Sequence, residues 1–130
     1  MNSFIDKIIG FTPENNTLYE QAFIHKSFDK QYNNERLEYL GDAVLDIIVS
    51  EHLYLKYTDK DEGFLSTQRA LIVGRLHLNT IGEILIEESN IKRKTQFVSD
   101  NMYGNILESL IGAIYLDSGY ASAKQFTLDN

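Results

Sequence analysis

Apolar residues recur along this chain at the spacing of helices, and nowhere do they alternate as a half-buried strand requires. Phe4, Ile5, Ile8 and Ile9 predict a short helix over Ser3–Ile9, which Gly10 stops. Thr12-Pro13-Glu14 reads as the next helix start, with Thr12 as cap and Pro13 at the first position; Leu18, Ala22 and Phe23 carry that helix on to about Phe28. A polar loop over 29–34 leads into a long helix that continues through Ile47, Ile48, Val49 and Leu53 to about Tyr57. Thr58 to Asp61 breaks it. A further helix runs from Glu62 to Val73, and after a break near Gly74 the spacing of Leu76, Leu78, Ile81 and Leu85 predicts another, to Ile86. From Tyr103 to Asp117 almost every position after Asn105 is apolar except Glu108 and Ser109, which marks a central helix ended by Ser118-Gly119. Tyr120, Ala123, Phe126 and Leu128 begin one more. The pattern predicts an all-α domain over residues 1–130, with about seven helices and no internal repeat.

The long helix after the loop carries the first candidate chemistry. At about 100° per residue, Glu35, Glu38, Asp42 and Asp46 fall within one narrow arc, and Leu37, Leu40, Val44 and Ile48 fall on the opposite one. Such a column of carboxylates repels itself by a few tenths of a kcal/mol per pair, so water or a cation must offset it. Glu108 poses the same demand more sharply. A carboxylate inside an apolar helix costs several kcal/mol or takes up a proton unless a cation meets it. Asn105 and Gly112 share its face, and the glycine permits close approach of another backbone or a ligand.

Composition narrows the setting. With 43% hydrophobic residues and a single Pro, the 130 residues are enough to bury a core and too ordered in pattern for a linker-rich array. No run approaches the ~20 apolar residues of a membrane span, and no basic-then-apolar leader opens the chain, so a soluble, cytoplasmic protein with no membrane partner is expected. The absence of Cys excludes disulfides and thiolate metal sites. The formal charge of −7 argues against simple phosphate binding, unless acids hold divalent cations that invert the local field. The only basic run, Lys92-Arg93-Lys94, is short enough to be a solvated loop.

Four stretches share a resemblance. Glu-Arg-Leu-Glu-Tyr-Leu-Gly-Asp-Ala-Val-Leu at 35–45 resembles the signature helix of the ribonuclease III family, metal-dependent endonucleases of double-stranded RNA. Ala22 to Phe28, Glu62 to Val73 and Tyr103 to Asp117 are similar to three further segments of that family, so the likeness covers the chain from Ala22 to Tyr120. It implies an endoribonuclease that hydrolyses phosphodiester bonds to leave staggered ends, in ribosomal and messenger RNA precursors, with Mg²⁺ as cofactor, Mn²⁺ able to substitute, and no small-molecule cofactor. By position the metal ligands fall on Glu38, Asp42, Asn105 and Glu108, with Asp42 and Glu108 catalytic. Glu35 and Glu62 support the site or touch the substrate, and Ser66 and Arg69 face the signature helix, Arg69 either pairing with its acids or touching RNA. The family pairs as homodimers through the signature helix, which here offers Tyr39 and Leu40, although Tyr39 also suits an ordinary core position. His25 is a candidate acid or base whose commoner role at such a place is capping or packing.

Asn105 departs from the family, which usually has Asp there. An amide oxygen can ligate a hard cation but brings no charge, so ion affinity should fall. The open alternatives are therefore a weak or inactive ribonuclease III-like module that binds RNA or scaffolds a dimer, and an acidic all-α interaction domain whose carboxylates merely face water. No double-stranded-RNA-binding domain is expected within these 130 residues, and the last helix is expected to be cut short at Thr127–Asn130, as in a fragment of a longer protein.

Overall fold

The computed structural model describes residues 3–130. Those residues form seven α-helices and one 3-10 turn: α1 (Ser3–Ile9), α2 (Asn16–Ala22), α3 (Glu35–Lys56), α4 (Glu62–Val73), α5 (Arg75–Leu85), the turn Glu88–Asn90, α6 (Asp100–Ser118) and α7 (Tyr120–Asp129). Among the described residues there is no strand, only one isolated parallel bridge between Ile24 and Lys92. No described helix is long and apolar enough to cross a membrane.

The core is built around α6, whose residues from Ile106 to Ile114 are all buried. The long helix α3 packs across it and buries Leu37, Val44, Leu45, Ile48, Val49 and Leu53. Two glycines set the crossing. A Cβ on Gly41 would stand 1.7 Å from the Glu108 carbonyl oxygen, and one on Gly112 would stand 2.6 Å from the carbonyl oxygen of Leu37. Backbone therefore meets backbone at this point, and the carboxylate face of α3 comes within reach of Glu108.

The expected start of the second helix is corrected. α2 begins at Asn16, and its cap is Asn15, not Thr12: Asn15 is extended and its Oδ1 accepts from the Thr17 amide. The amides of Glu14 and Asn15 donate to the Asp117 carboxylate at 3.2 and 2.9 Å, which ties the segment before α2 onto the end of α6. The same helix ends at Ala22, six residues before the expected limit. Beyond it the backbone is committed to other partners: the Lys92 amide donates to Phe23, His25 donates to the Lys92 carbonyl, and Asn34 donates to Ile24, each at 2.9 Å. The break at Gly74 and the ends of the long helices match the expected limits within a few residues.

Candidate active site

The start of α3 is fixed by a polar network that the sequence leaves unmarked. Asn33 Oδ1 accepts from the Glu35 amide, Asn34 Nδ2 donates to the Ala22 carbonyl, and Ser109 Oγ of α6 donates to the Asn34 carbonyl at 3.1 Å. Asn33, Asn34 and Ser109 are all buried, so each bond counts at full desolvated strength. The first turn of α3 is thereby locked against α6, and its acids are aimed at one place.

That place is an open cleft of about 440 Å³ lined by Glu35, Glu38, Tyr39, Asp42, Arg75 and Glu108. Glu108 is 3% exposed. Burial, with Asp42 as acceptor for its proton, pushes its carboxyl up to about 8, against the opposing pull of Arg75. Glu38 is also raised, first by burial, while Arg75 opposes and the Glu35 and Asp42 charges add. Asp46 is raised by burial and by Asp42, with Arg69 opposing. The column expected on α3 thus becomes a set of mutually destabilised carboxylates around one buried acid.

Arg75 is the residue that sequence reasoning missed. Its Nη2 lies 3.4 Å from Glu108 Oε1, so the cation that a buried Glu108 called for is supplied from α5. No local pattern singles out an arginine after Gly74; only the need for a positive partner could have prompted a search for one.

Glu38, Asp42 and Glu108 share the cleft, and Asn105, one turn before Glu108, lines an adjoining hollow that has Glu35 and Glu38 in common with it. Among the described residues no three His, Asp or Glu side chains stand already gathered around one point in ligand geometry. The donors nevertheless suit a hard divalent cation in kind: carboxylate oxygens from two helices around a buried acid whose other neighbours are anions.

The remaining candidates are dispersed. Glu62, Ser66 and Arg69 come together in a second cleft with Ser50, Leu53 and Tyr54, and none of the three lines the Glu108 cleft. Arg69 does face α3 as expected, donating to Ser50 Oγ at 2.9 Å. Lys26 reaches Glu35 at 3.9 Å on the surface. His25 Nδ1 accepts from the Ser27 amide at 3.0 Å, so the side chain caps its own turn, and burial lowers its pKa. Tyr39 is 82% exposed and Leu40 is half-buried, which removes the core reading of Tyr39. Beside them runs a mostly apolar groove lined by Leu18, Leu37, Leu40 and Leu116, with Gln21, Arg36 and Tyr39 itself at its walls.

Comparison with known proteins bears on the family and the fold. Residues 15–130 match the family model described as ribonuclease-III-like. The chain is 47% identical over 128 residues to a protein named ribonuclease 3 from Bacteroides thetaiotaomicron, with 92% of this chain and 41% of that protein covered. Its fold is similar to the nuclease domain of ribonuclease III from Campylobacter jejuni, with a TM-score of 0.90 and 34% identity over 98% of this chain and 90% of that one. A second structure of that domain, described for structural flexibility in a region involved in dimer formation, gives a TM-score of 0.91 and 35% identity over 97% and 92% of the two chains. The chain spans about half the length of the curated relatives it matches. With a family model over most of its length, these motifs and this all-helical fold, the chain belongs to the ribonuclease III-like family.

Proposed function

We propose that this chain is the catalytic domain of an endoribonuclease that hydrolyses double-stranded RNA in a metal-dependent reaction, as a cytoplasmic homodimer that leaves staggered ends in ribosomal and messenger RNA precursors. The observation that carries the reading is the crossing of α3 and α6, which places the buried Glu108 in one cleft with Glu38 and Asp42. A buried acid surrounded by acids is a poor stabilising device and a good seat for a divalent cation.

Glu38, Asp42 and Glu108 would hold the ion, with Asn105 adding a neutral oxygen from the adjoining hollow. Bound Mg²⁺, or Mn²⁺ in its place, supplies a water made nucleophilic at neutral pH and offsets charge on the attacking and leaving oxygens. Asp42 and Glu108 face the reacting phosphate, and Glu35 on the rim steers the strand by repelling it from all but the ion. Glu62, Ser66 and Arg69 take the RNA backbone in their own cleft, through phosphates and 2′-hydroxyls more than bases. Tyr39 projects from the same helix as the acids, and a partner's groove of the kind lined by Leu18, Leu37, Leu40 and Leu116 is its natural socket.

A second reading, a domain that binds duplex RNA with little cleavage, is favoured by the place of Asn105 outside the main cleft. One experiment separates the two. A long RNA duplex is incubated at low salt with Mg²⁺, with Mn²⁺ or with chelator, alongside Asn105→Asp and Glu108→Gln. Metal-dependent cutting by the native chain, lost in Glu108→Gln, supports the nuclease. Cutting by the Asn105→Asp chain alone supports the second reading.

A further inference from the structure

Arg75 sits in a seat built for it. It is the first residue of α5, and its guanidinium reaches back across α6. Nη2 meets Glu108 Oε1 at 3.4 Å and Nη1 meets Asn79 Oδ1 at 3.5 Å. Asn79 is buried, and its Nδ2 donates to Asn101 Oδ1 at 2.9 Å, which fixes the amide with its oxygen toward the arginine. Gly104 makes the room: a Cβ there would stand 2.6 Å from Arg75 Nη1 and 2.3 Å from Asn79 Oδ1. A surface arginine wandering over acids needs neither a missing side chain nor an oriented amide.

The other charged groups that line this cleft, Glu35, Glu38 and Asp42, are anions. Among the described residues Arg75 is therefore the only cation lining the cleft, and it uses the same Glu108 carboxylate that an ion held by Glu38 and Asp42 would need. Like charges a few ångströms apart in a partly buried site repel strongly. Arg75 meets only Oε1 of that carboxylate, and two cations drawn to one carboxylate weaken each other's hold on it.

We propose that Arg75 is a positioning residue that competes with the divalent ion for Glu108, so that the guanidinium and the ion are alternative partners of one carboxylate. The ion displaces Arg75 toward the mouth of the cleft, where its side chain is already 42% exposed and where an RNA phosphate would approach. This rests on the reading that Glu38, Asp42 and Glu108 form the ion site.

The test is direct Mn²⁺ binding to the full chain without RNA, followed by the loss of the free-ion electron paramagnetic resonance signal. Arg75→Met keeps an unbranched stem over Gly104 and removes the charge, and should bind Mn²⁺ about tenfold more tightly. Arg75→Lys should stay within about threefold of the native chain. In a Glu108→Gln background the gain from Arg75→Met should shrink to about threefold or less, because competition for the carboxylate is gone and only the through-space charge effect remains; an undiminished gain would overturn the competition. Equal or weaker binding by Arg75→Met would overturn the competition while leaving the ion site standing. No Mn²⁺ binding by either chain would overturn the ion site and this inference with it. The native protein provides a second measurement: the Arg75 Nε–H resonance should shift on Mg²⁺ titration and saturate with ion binding, and a resonance that does not move would also overturn the proposal.

Discussion

Glu51 shows how a single carboxylate on α3 can be stabilised without a metal. It accepts from the Tyr120 hydroxyl at 2.7 Å and from Lys124 Nζ at 3.0 Å, and these bonds hold its pKa below the ordinary range. The folded chain thus releases this proton at lower pH than the unfolded one. Its stabilisation is complete above the unfolded value and is lost as pH falls through the folded one. Tyr120→Phe should accordingly lower the melting temperature at pH 7 and reduce its fall between pH 5 and 3, which a thermal series at fixed ionic strength would measure. Glu108 is the opposite case, an acid pushed up by burial with Asp42 beside it. The need of Glu108 for a cation was legible, since a lone acid interrupts an apolar run. The identity of the partner was not, because Arg75 lies 33 positions away and meets it only after α5 folds onto α6.

At the scale of elements, the glycines of the α3–α6 crossing decide the geometry. Gly41→Ala would gain up to about 1 kcal/mol of helix propensity, but its Cβ would collide with backbone, and the net loss should be about 3 kcal/mol in urea unfolding. If the two helices moved apart instead, Glu108 would leave the cleft and duplex cleavage would fall with stability. The start of α2 gives a finer test. Asn15→Ala should cost about 1 kcal/mol through the lost cap, whereas Thr12→Ala, at an exposed position outside the helix, should change stability by less than about 0.5 kcal/mol. The pattern around Thr12-Pro13 is a fair helix signal in isolation. It loses because Asn15 is held extended with its Oδ1 on the Thr17 amide, so the helix begins only after it.

At the scale of the molecule, the exposed Tyr39 and the groove beside it predict the association state. Tyr39→Ala should leave the melting temperature of the protomer within a few degrees, since the side chain buries little within one chain, while analytical ultracentrifugation should show a shift from dimer to monomer. Unchanged sedimentation would place the interface elsewhere. Helical spacing, carboxylates on one arc of α3 and a lone acid in α6 were determined by the sequence, because a helix fixes which residues share a face whatever surrounds it. The four matching stretches pointed to the family for the same reason, being local runs of fixed residue types. Only the tertiary structure decided that Glu38, Asp42 and Glu108 share a cleft, that Asn105 stands outside it, that Arg75 enters it and that Glu62, Ser66 and Arg69 form a cleft of their own. Those facts depend on how closely two backbones approach at Gly41 and Gly112 and on which side α5 returns, distances that no periodicity along a single chain encodes.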